Sequence, residues 1–364
     1  MTRKLASVQQ IVAIRSIPNA DAIEVATVLG WECVIAKKDG FKIGDRVVYI
    51  EIDSILPEKP EYEFLRDRKF RVRTIRLRGQ VSQGLVLPIG VLPKRKNGYR
   101  EDEDVTEIMG VVKYDPQALI EERLAAEQAA REKNRIKKFL SHYSWFRRLF
   151  GRQRGGFPKF IHKTDEDRIQ LFPHICKEQA QTPFQVTEKL DGQSGTWFLV
   201  RHKGLFGDKF SFGVCSRKLL LNRPDNSSYW EIAKKYNMEK VLKNIIGNYS
   251  FVAIQGEICG PGIQSNKYGL QERDMWAFNL VYPDGMRENI TAKNILEQEG
   301  IRFVPNVADE FYLCPTIEQM LKYSNGKAQL NVKDTLREGV VIRNYQKGIS
   351  FKVVSPEFLL KYAE

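Results

Sequence analysis

The sequence predicts an α+β protein: a small N-terminal β-barrel, then a basic helical segment, then a mixed and mainly antiparallel domain. Three observations predict it. Residues 1–115 carry five short β-branched or aromatic runs separated by turn residues. Residues 116–156 turn to Ala, Glu, Lys and Arg and end in a glycine-rich break. Residues 157–364 alternate strand-like and helix-like runs without the strict order of a doubly wound sheet.

The five N-terminal runs are LASVQQIVAIRSI, AIEVATVLGWECVIA, RVVYIEI, FRVRTIRLRG and QGLVLPIG. Turn chemistry lies between them at Pro18-Asn19-Ala20-Asp21, Lys38-Asp39-Gly40 and Gly44-Asp45. Short strands with little helix suit a small closed barrel, and the OB-fold is the natural candidate. IPNADAIEVATVLGWECVIA resembles OB modules of the tRNA-binding-domain type, which implies nucleic-acid binding for residues 1–115. Arg71, Arg73, Arg76 and Arg78 recur closely enough to form a basic strand face that tracks a phosphate backbone; an ordinary solvated face fits the same spacing.

PQALIEERLAAEQAAREKNRIKKFLSHYSWFRRLF, residues 116–150, starts with Pro and places acidic residues before basic ones, so it reads as helix. Gly151 to Gly156 then reads as a flexible break, making 116–156 a helical linker or insertion. A helix lying on a membrane surface is the alternative, since Trp145, Phe146, Leu149 and Phe150 sit among cations. The net charge is +13. Basic residues outnumber acidic ones by 20 to 17 in 1–115, 11 to 4 in 116–160 and 27 to 24 in 161–364. The middle segment is therefore a concentrated basic surface that suits a polyanion, although charge alone does not choose among nucleic acid, nucleotide and acidic membrane.

No apolar run approaches the roughly 18 residues of a membrane span, and the N-terminus lacks a signal-peptide core, so a cytoplasmic protein is expected. Five widely spaced cysteines with no Cys-x-x-Cys pair argue for buried reduced thiols rather than disulfides or zinc. The histidines form no triad with a serine, which excludes serine-type catalysis.

Glu188-Lys189-Leu190-Asp191-Gly192 is the sharpest local feature, a strand running into a glycine turn. A lysine nucleophile needs a fixed backbone and local positive charge that keeps it partly unprotonated. Asp191 would help position a divalent metal, and Gly192 would let the chain turn there without a Cβ clash. Downstream, Arg217 follows a strand, Glu257 lies in FVAIQGEICGPG and Phe278 in WAFNL, with Glu338 in EGVVIR and Lys352 in SFKVVS. The four charged residues end or interrupt β-like runs, where burial is costly unless they are paired or bind a ligand.

This ordered set resembles the covalent nucleotidyltransferase superfamily of DNA ligases, RNA ligases and mRNA capping enzymes. EKLDG, SRK, QGEICG, WAFNL, EGVVIR and SFKVVS match its motifs in order over residues 188–352. The resemblance implies that Lys189 attacks the ATP α-phosphate and carries AMP, while Lys352 holds an α-phosphate oxygen. It further implies that Arg217 and Glu257 contact the ribose, Phe278 stacks on adenine and Glu188 sits at the adenine edge. Asp191, Glu257 and Glu338 would hold hydrated Mg2+ or Mn2+.

Within that superfamily the layout resembles the RNA-ligase branch with an N-terminal OB domain. The chain ends 12 residues after Lys352, which leaves no room for a downstream OB domain, and GFPKFIHKTDEDRIQ resembles the approach segment of nick-sealing RNA ligases. The expected substrate is RNA, or an RNA-containing duplex with a 5′-phosphate, and the expected state is a monomer. One departure is Val354, where many relatives have a second lysine; Lys347, Lys361 or Lys163 would replace it. Lys163 and Arg168, with Arg71 and Arg73, are the candidate phosphate or nucleic-acid contacts. A DNA ligase, a GTP-using capping enzyme and an inactive nucleic-acid-binding relative are the rival readings. A nick with RNA or DNA at its 3′-OH tests the first, ATP against GTP labelling the second, and Lys189→Ala the third.

Overall fold

A computed structural model describes residues 4–114, 154–163, 165–204, 207–221, 226–330 and 334–362. The helix expected over 116–150, and with it the membrane-surface alternative, lies outside the described residues. Among those described, no helix is long and apolar enough to cross a membrane. Two compact units are present: residues 4–114 with 169–175 and 356–362, and residues 154–168 with 176–355.

The first unit is built on β1 (Ala6–Ser16), β2 (Ile23–Val28), β3 (Trp31–Ala36) and β4 (Arg46–Ile50). A hairpin follows, β5 (Thr74–Leu77) and β6 (Gln80–Gln83), and then β7 (Leu85–Pro88). One curled antiparallel sheet has the order β3-β2-β1-β4-β7, with β1 pairing across both neighbours. Alternation along β3 puts Trp31 and Cys33 out of water, whereas β4 is buried on both faces, with Val47 and Val48 both at 0% exposure. The run AIEVATVLGWECVIA makes two strands, because Leu29 takes a left-handed φ of 53° at the hairpin turn.

FRVRTIRLRG becomes strand only from Thr74. Lys69 and Phe70 are both left-handed, at φ 52° and 57°, and Phe70 turns into the core. Arg71 thus precedes the strand: it pairs with Asp53 at 2.8 Å and lies 3.5 Å from the Tyr114 ring centroid. Arg73 is half-buried and Arg76 exposed, so the four arginines do not line a single strand face. Pro60–Arg68 forms a 3-10 helix that period-2 patterning gave no hint of.

The second unit holds two sheets. The larger comprises β8 (Arg154–Gly156), β10 (Gln193–His202), β11 (Lys209–Cys215), β12 (Leu219–Leu221), β13 (Phe251–Cys259), β14 (Asp274–Tyr282) and β15 (Gly285–Met286). Its order is β8-β12-β11-β10-β13-β14-β15. The smaller, in the order β16-β9-β17-β18, comprises β9 (Phe184–Lys189), β16 (Asn306–Phe311), β17 (Gly339–Asn344) and β18 (Ile349–Val354). Helices α1 (Ser228–Lys235), α2 (Met238–Ile245) and α3 (Asn289–Gln298) contribute Ile232, Leu242 and Leu296 to the core under the larger sheet. SSYWEIAKKYNMEKVLKNII forms two helices rather than one, because Asn237 between them is left-handed at φ 47°. Helix α4 (Ile317–Ser324) starts from a capping box of Thr316 and Gln319. PEFLLKYAE forms α5 (Pro356–Tyr362), which belongs with the first unit. All five cysteines are free, four buried and Cys314 half-buried.

Candidate active site

Strand β9 ends at Lys189 in the smaller sheet, and β10 begins at Gln193 in the larger one. Leu190, Asp191 and Gly192 are therefore the bridge between the sheets, and residues from both converge there. Lys189 lies opposite Gly339 in the β9–β17 ladder, which brings the preceding residue, Glu338, within reach. Lys189 Nζ donates to Glu338 Oε2 at 2.6 Å. Glu257 comes from the other sheet: it sits on β13 opposite Ser194, and its Oε1 accepts from Gly192 N at 3.1 Å.

Gly192 is required by close approach rather than by a left-handed turn. It is absent from the positive-φ residues, and a Cβ there would run into Ile258 O and stand 2.9 Å from Glu257 Cγ. The next turn, from β13 toward β14, delivers two residues the motif reading missed. Tyr268 Oη accepts from Asp191 N at 2.8 Å, and Lys267 Nζ pairs with Asp191 Oδ2 at 2.6 Å. Their segment, GIQSNKYGL, is irregular and carries no periodic signal.

The electrostatics follow from three carboxylates sharing a buried space. Burial, reinforced by Glu338 and Asp191, pushes the Glu257 carboxyl up to about 8 against the pull of Lys189. Burial and Glu338 likewise push Asp191 up to about 6, with Lys267 and Lys189 opposing. Lys189 feels burial pulling its proton affinity down, but Glu338, Glu257 and Asp191 outweigh that and hold it above the usual lysine range. The expectation of a partly unprotonated lysine is thus not met by the protein alone. Its surroundings are anionic, and they keep the resting Lys189 an ammonium.

Glu188, the residue before the lysine, is 2% exposed. Its Oε2 accepts from Gln329 N at 2.9 Å, whereas Oε1 has no hydrogen-bond partner. Burial raises its carboxyl to about 7 despite that bond and the nearby Arg337. One short segment ties it to Phe278. Val304 N donates to Ala277 O at 2.8 Å, and Glu188 N donates to Pro305 O at 2.9 Å. Phe278 is half-buried on β14.

Arg217 and Lys352 are linked through residues 165–168. Arg217 pairs with Asp165, and its charge is felt at Glu257. Lys352, half-buried on β18, donates its backbone N to Asp167 O at 2.8 Å, and Arg168 bridges to the same residue. Arg343, also missed in the sequence, anchors this segment from β17. Its side chain is 5% exposed, and the guanidinium pairs with Glu166 at 3.0 Å and donates to Phe278 O at 3.3 Å. Val354 is buried at 1% exposure, so that position offers no charge. Of its suggested replacements, Lys347 is bound to Thr182 and Gln179, Lys163 is exposed, and Lys361 lies in α5 of the first unit.

Comparison with known proteins agrees with this architecture. A family model described as RNA ligase matches residues 182–362, and an OB-fold domain model matches residues 5–89. Naegleria gruberi RNA ligase with pyrophosphate is 32% identical at a TM-score of 0.79, covering 100% of this chain and 99% of that one. A mutant of the same ligase with ATP and Mn gives 32% identity and a TM-score of 0.79, covering 100% of both chains. Another mutant, with AMP and Mn, gives 32% and 0.79 over 99% of each. The chain belongs to the RNA ligase family. Comparison with curated proteins gives no match.

Proposed function

We propose that this chain is an ATP-dependent RNA ligase that joins 3′-OH and 5′-phosphate ends through AMP carried on Lys189. Its preferred substrate in this reading is a nick in a duplex whose 3′-OH strand is RNA. The observation that carries the chemistry is the Lys189–Glu338 contact at the junction of the two sheets, with Glu257 and Asp191 beside it. The Naegleria ligase structures with ATP, AMP, pyrophosphate and Mn support the same donor and metal class.

The nucleotide site follows from the side chains. The unpartnered Oε1 of Glu188 suits the exocyclic amino group of adenine, and Phe278 supplies a ring for stacking. Arg217 and Glu257 are assigned to the ribose, and Lys352 to an α-phosphate oxygen. Asp191, Glu257 and Glu338 are hard oxygen donors whose mutual repulsion a divalent cation relieves, so the donor set fits Mg2+ or Mn2+. Among the described residues no three His, Cys, Asp or Glu side chains converge closely enough to hold an ion directly. When bound, it supplies the positive charge that favours a neutral lysine amine and offsets the phosphate charge.

For the first step the Lys189 ammonium must lose a proton, and Glu338 Oε2 is an acceptor already in contact with it. The amine then attacks the α-phosphorus in line with the departing pyrophosphate, forming the P–N bond as the P–O bond breaks. A 5′-phosphate oxygen next takes AMP from Lys189. Last, the 3′-OH attacks the activated 5′-phosphate and AMP leaves. The grip on nucleic acid is assigned to the N-terminal unit, with Arg73, and to Lys163 and Arg168. Arg168, buried at 7% exposure, and Arg71, already engaged with Asp53 and Tyr114, are the weakest of these candidates.

The test is a nicked duplex with a 5′-phosphate and either RNA or DNA at the 3′-OH terminus. This reading expects sealing of the RNA-terminated nick to exceed that of the DNA-terminated one at least tenfold. Equal rates would overturn the RNA preference while leaving the lysyl-AMP chemistry standing.

A further inference from the structure

The reaction outlined above assigns no role to Lys267, yet its ammonium lies inside the site. It contacts Asp191 Oδ2 at 2.6 Å, and the two side chains are only 12% and 16% exposed. A buried ion pair of this kind is weak evidence for stability, because desolvating two charges offsets most of their attraction. The loop that delivers it is strained as well. Gln264, Ser265 and Asn266 are three consecutive non-glycine residues at φ 44°, 56° and 46°, a conformation that costs about 1 kcal/mol or more apiece.

That loop is fixed at several points. Lys267 Nζ also donates to Gln264 O at 3.2 Å, Thr335 Oγ1 donates to Lys267 O at 2.7 Å, and Asn266 Nδ2 donates to Leu270 O at 2.9 Å. Tyr268 holds the backbone N of Asp191, whereas Lys267 holds its carboxylate. The backbone of residue 191 is thereby set independently of its side chain's partner, and the carboxylate can change partner without moving the chain. On the other side of the cluster, Lys189 pairs with Glu338 in the same manner.

Resting on the metal reading above, we infer that Lys267 is a positioning residue and the internal counter-ion of the metal site. Its ammonium keeps the Asp191 carboxylate in place in the metal-free protein and yields that carboxylate when a divalent cation enters. The exchange forms no covalent bond: Asp191 trades one cationic partner for another, and Lys267 keeps its contact with the Gln264 carbonyl. The charge of Lys267 therefore opposes metal binding, and the enzyme tolerates that opposition because an unpaired Asp191 would repel Glu338 and Glu257 across the nucleophile.

The experiment is a Mn2+ titration of pyrophosphate-stripped protein, with free Mn2+ read by electron paramagnetic resonance and no nucleotide present. Wild type is compared with Asp191→Asn, Lys267→Met, Lys267→Gln and Lys267→Arg, each checked for folding by circular dichroism. Asp191→Asn should weaken the tightest Mn2+ site. Lys267→Met should tighten it about tenfold or more, as expected when a unit charge is removed a few ångströms from a dication. Lys267→Gln, which keeps a hydrogen-bond donor near Asp191, should tighten it likewise should Lys267→Met not fold. Lys267→Arg should stay within about threefold of wild type. Unchanged or weaker binding in a folded charge-removing variant would overturn the inference, as would tightening in Lys267→Arg. Binding insensitive to Asp191→Asn would overturn the metal reading itself, and the inference with it.

Discussion

Arg343→Met tests whether the segment beside Lys352 is anchored by one buried charge. The substitution removes the guanidinium of a side chain that is 5% exposed and leaves the carboxylate of Glu166, whose side chain is 21% exposed, without it. Hydrogen bonds to Ser350 Oγ and Phe278 O, both at 3.3 Å, are lost too. Removing one partner of a buried pair costs about 3–5 kcal/mol, and the partial exposure of Glu166 lets water return some of that. The net expectation is a loss of roughly 2–3 kcal/mol, or a Tm lower by roughly 4–12 °C for a unit of this size. Arg343→Met/Glu166→Gln removes the stranded charge and should recover about 2 kcal/mol of it. Urea unfolding of wild type, both single variants and the double variant gives the coupling directly. Because Lys352 N binds Asp167 O, AMP transfer should fall in Arg343→Met and partly return in the double variant. Additive losses with no coupling, or a single-variant cost below about 0.5 kcal/mol, would refute the reasoning.

Other expectations follow from single positions. Gly192→Ala should cost about 1–3 kcal/mol and lower AMP transfer roughly a hundredfold, since its Cβ would displace Ile258 O and Glu257; near-normal transfer would contradict the close approach. Glu188 introduces a pH dependence. Its carboxyl is raised from 4.5 to about 7, so between those values the folded protein holds more protons than the unfolded chain, and stability falls as pH rises. The penalty reaches about 3 kcal/mol above pH 7. Glu188→Gln should remove that slope, so that its urea midpoint gains on wild type between pH 5 and pH 8; parallel profiles would contradict the assignment.

Much of this was legible because strands advertise themselves as short β-branched or aromatic apolar runs. FQVTEKLD, SFVAIQGEIC, DMWAFNLVY, EGVVIRN and ISFKVVS all form strands, and of the charged residues in or beside them Glu338, Glu257 and Asp191 act on Lys189. Polar edge strands were not legible: NVADEF, residues 306–311, carries no apolar alternation yet pairs with β9 along its length. The partners that fix the site were hidden for a different reason. Lys267, Tyr268 and Glu166 come from irregular segments, and Arg343 looks like the polar residue of an ordinary strand. Their roles depend on contacts between residues far apart in sequence, such as 177 positions for Arg343 and Glu166, which no local pattern encodes. The arginines of FRVRTIRLRG show the converse. Their spacing suggested one face, but two left-handed residues ahead of Thr74 fold Arg71 back onto Asp53 and Tyr114.

The most direct test is covalent labelling with α-32P ATP and Mg2+ after pyrophosphate stripping, followed by denaturing electrophoresis. Wild type should carry acid-labile label, as a phosphoramidate does, and Lys189→Ala should carry none. Label that persists in Lys189→Ala, or a folded wild type that takes up no label, would contradict the assignment of Lys189 as the carrier of AMP.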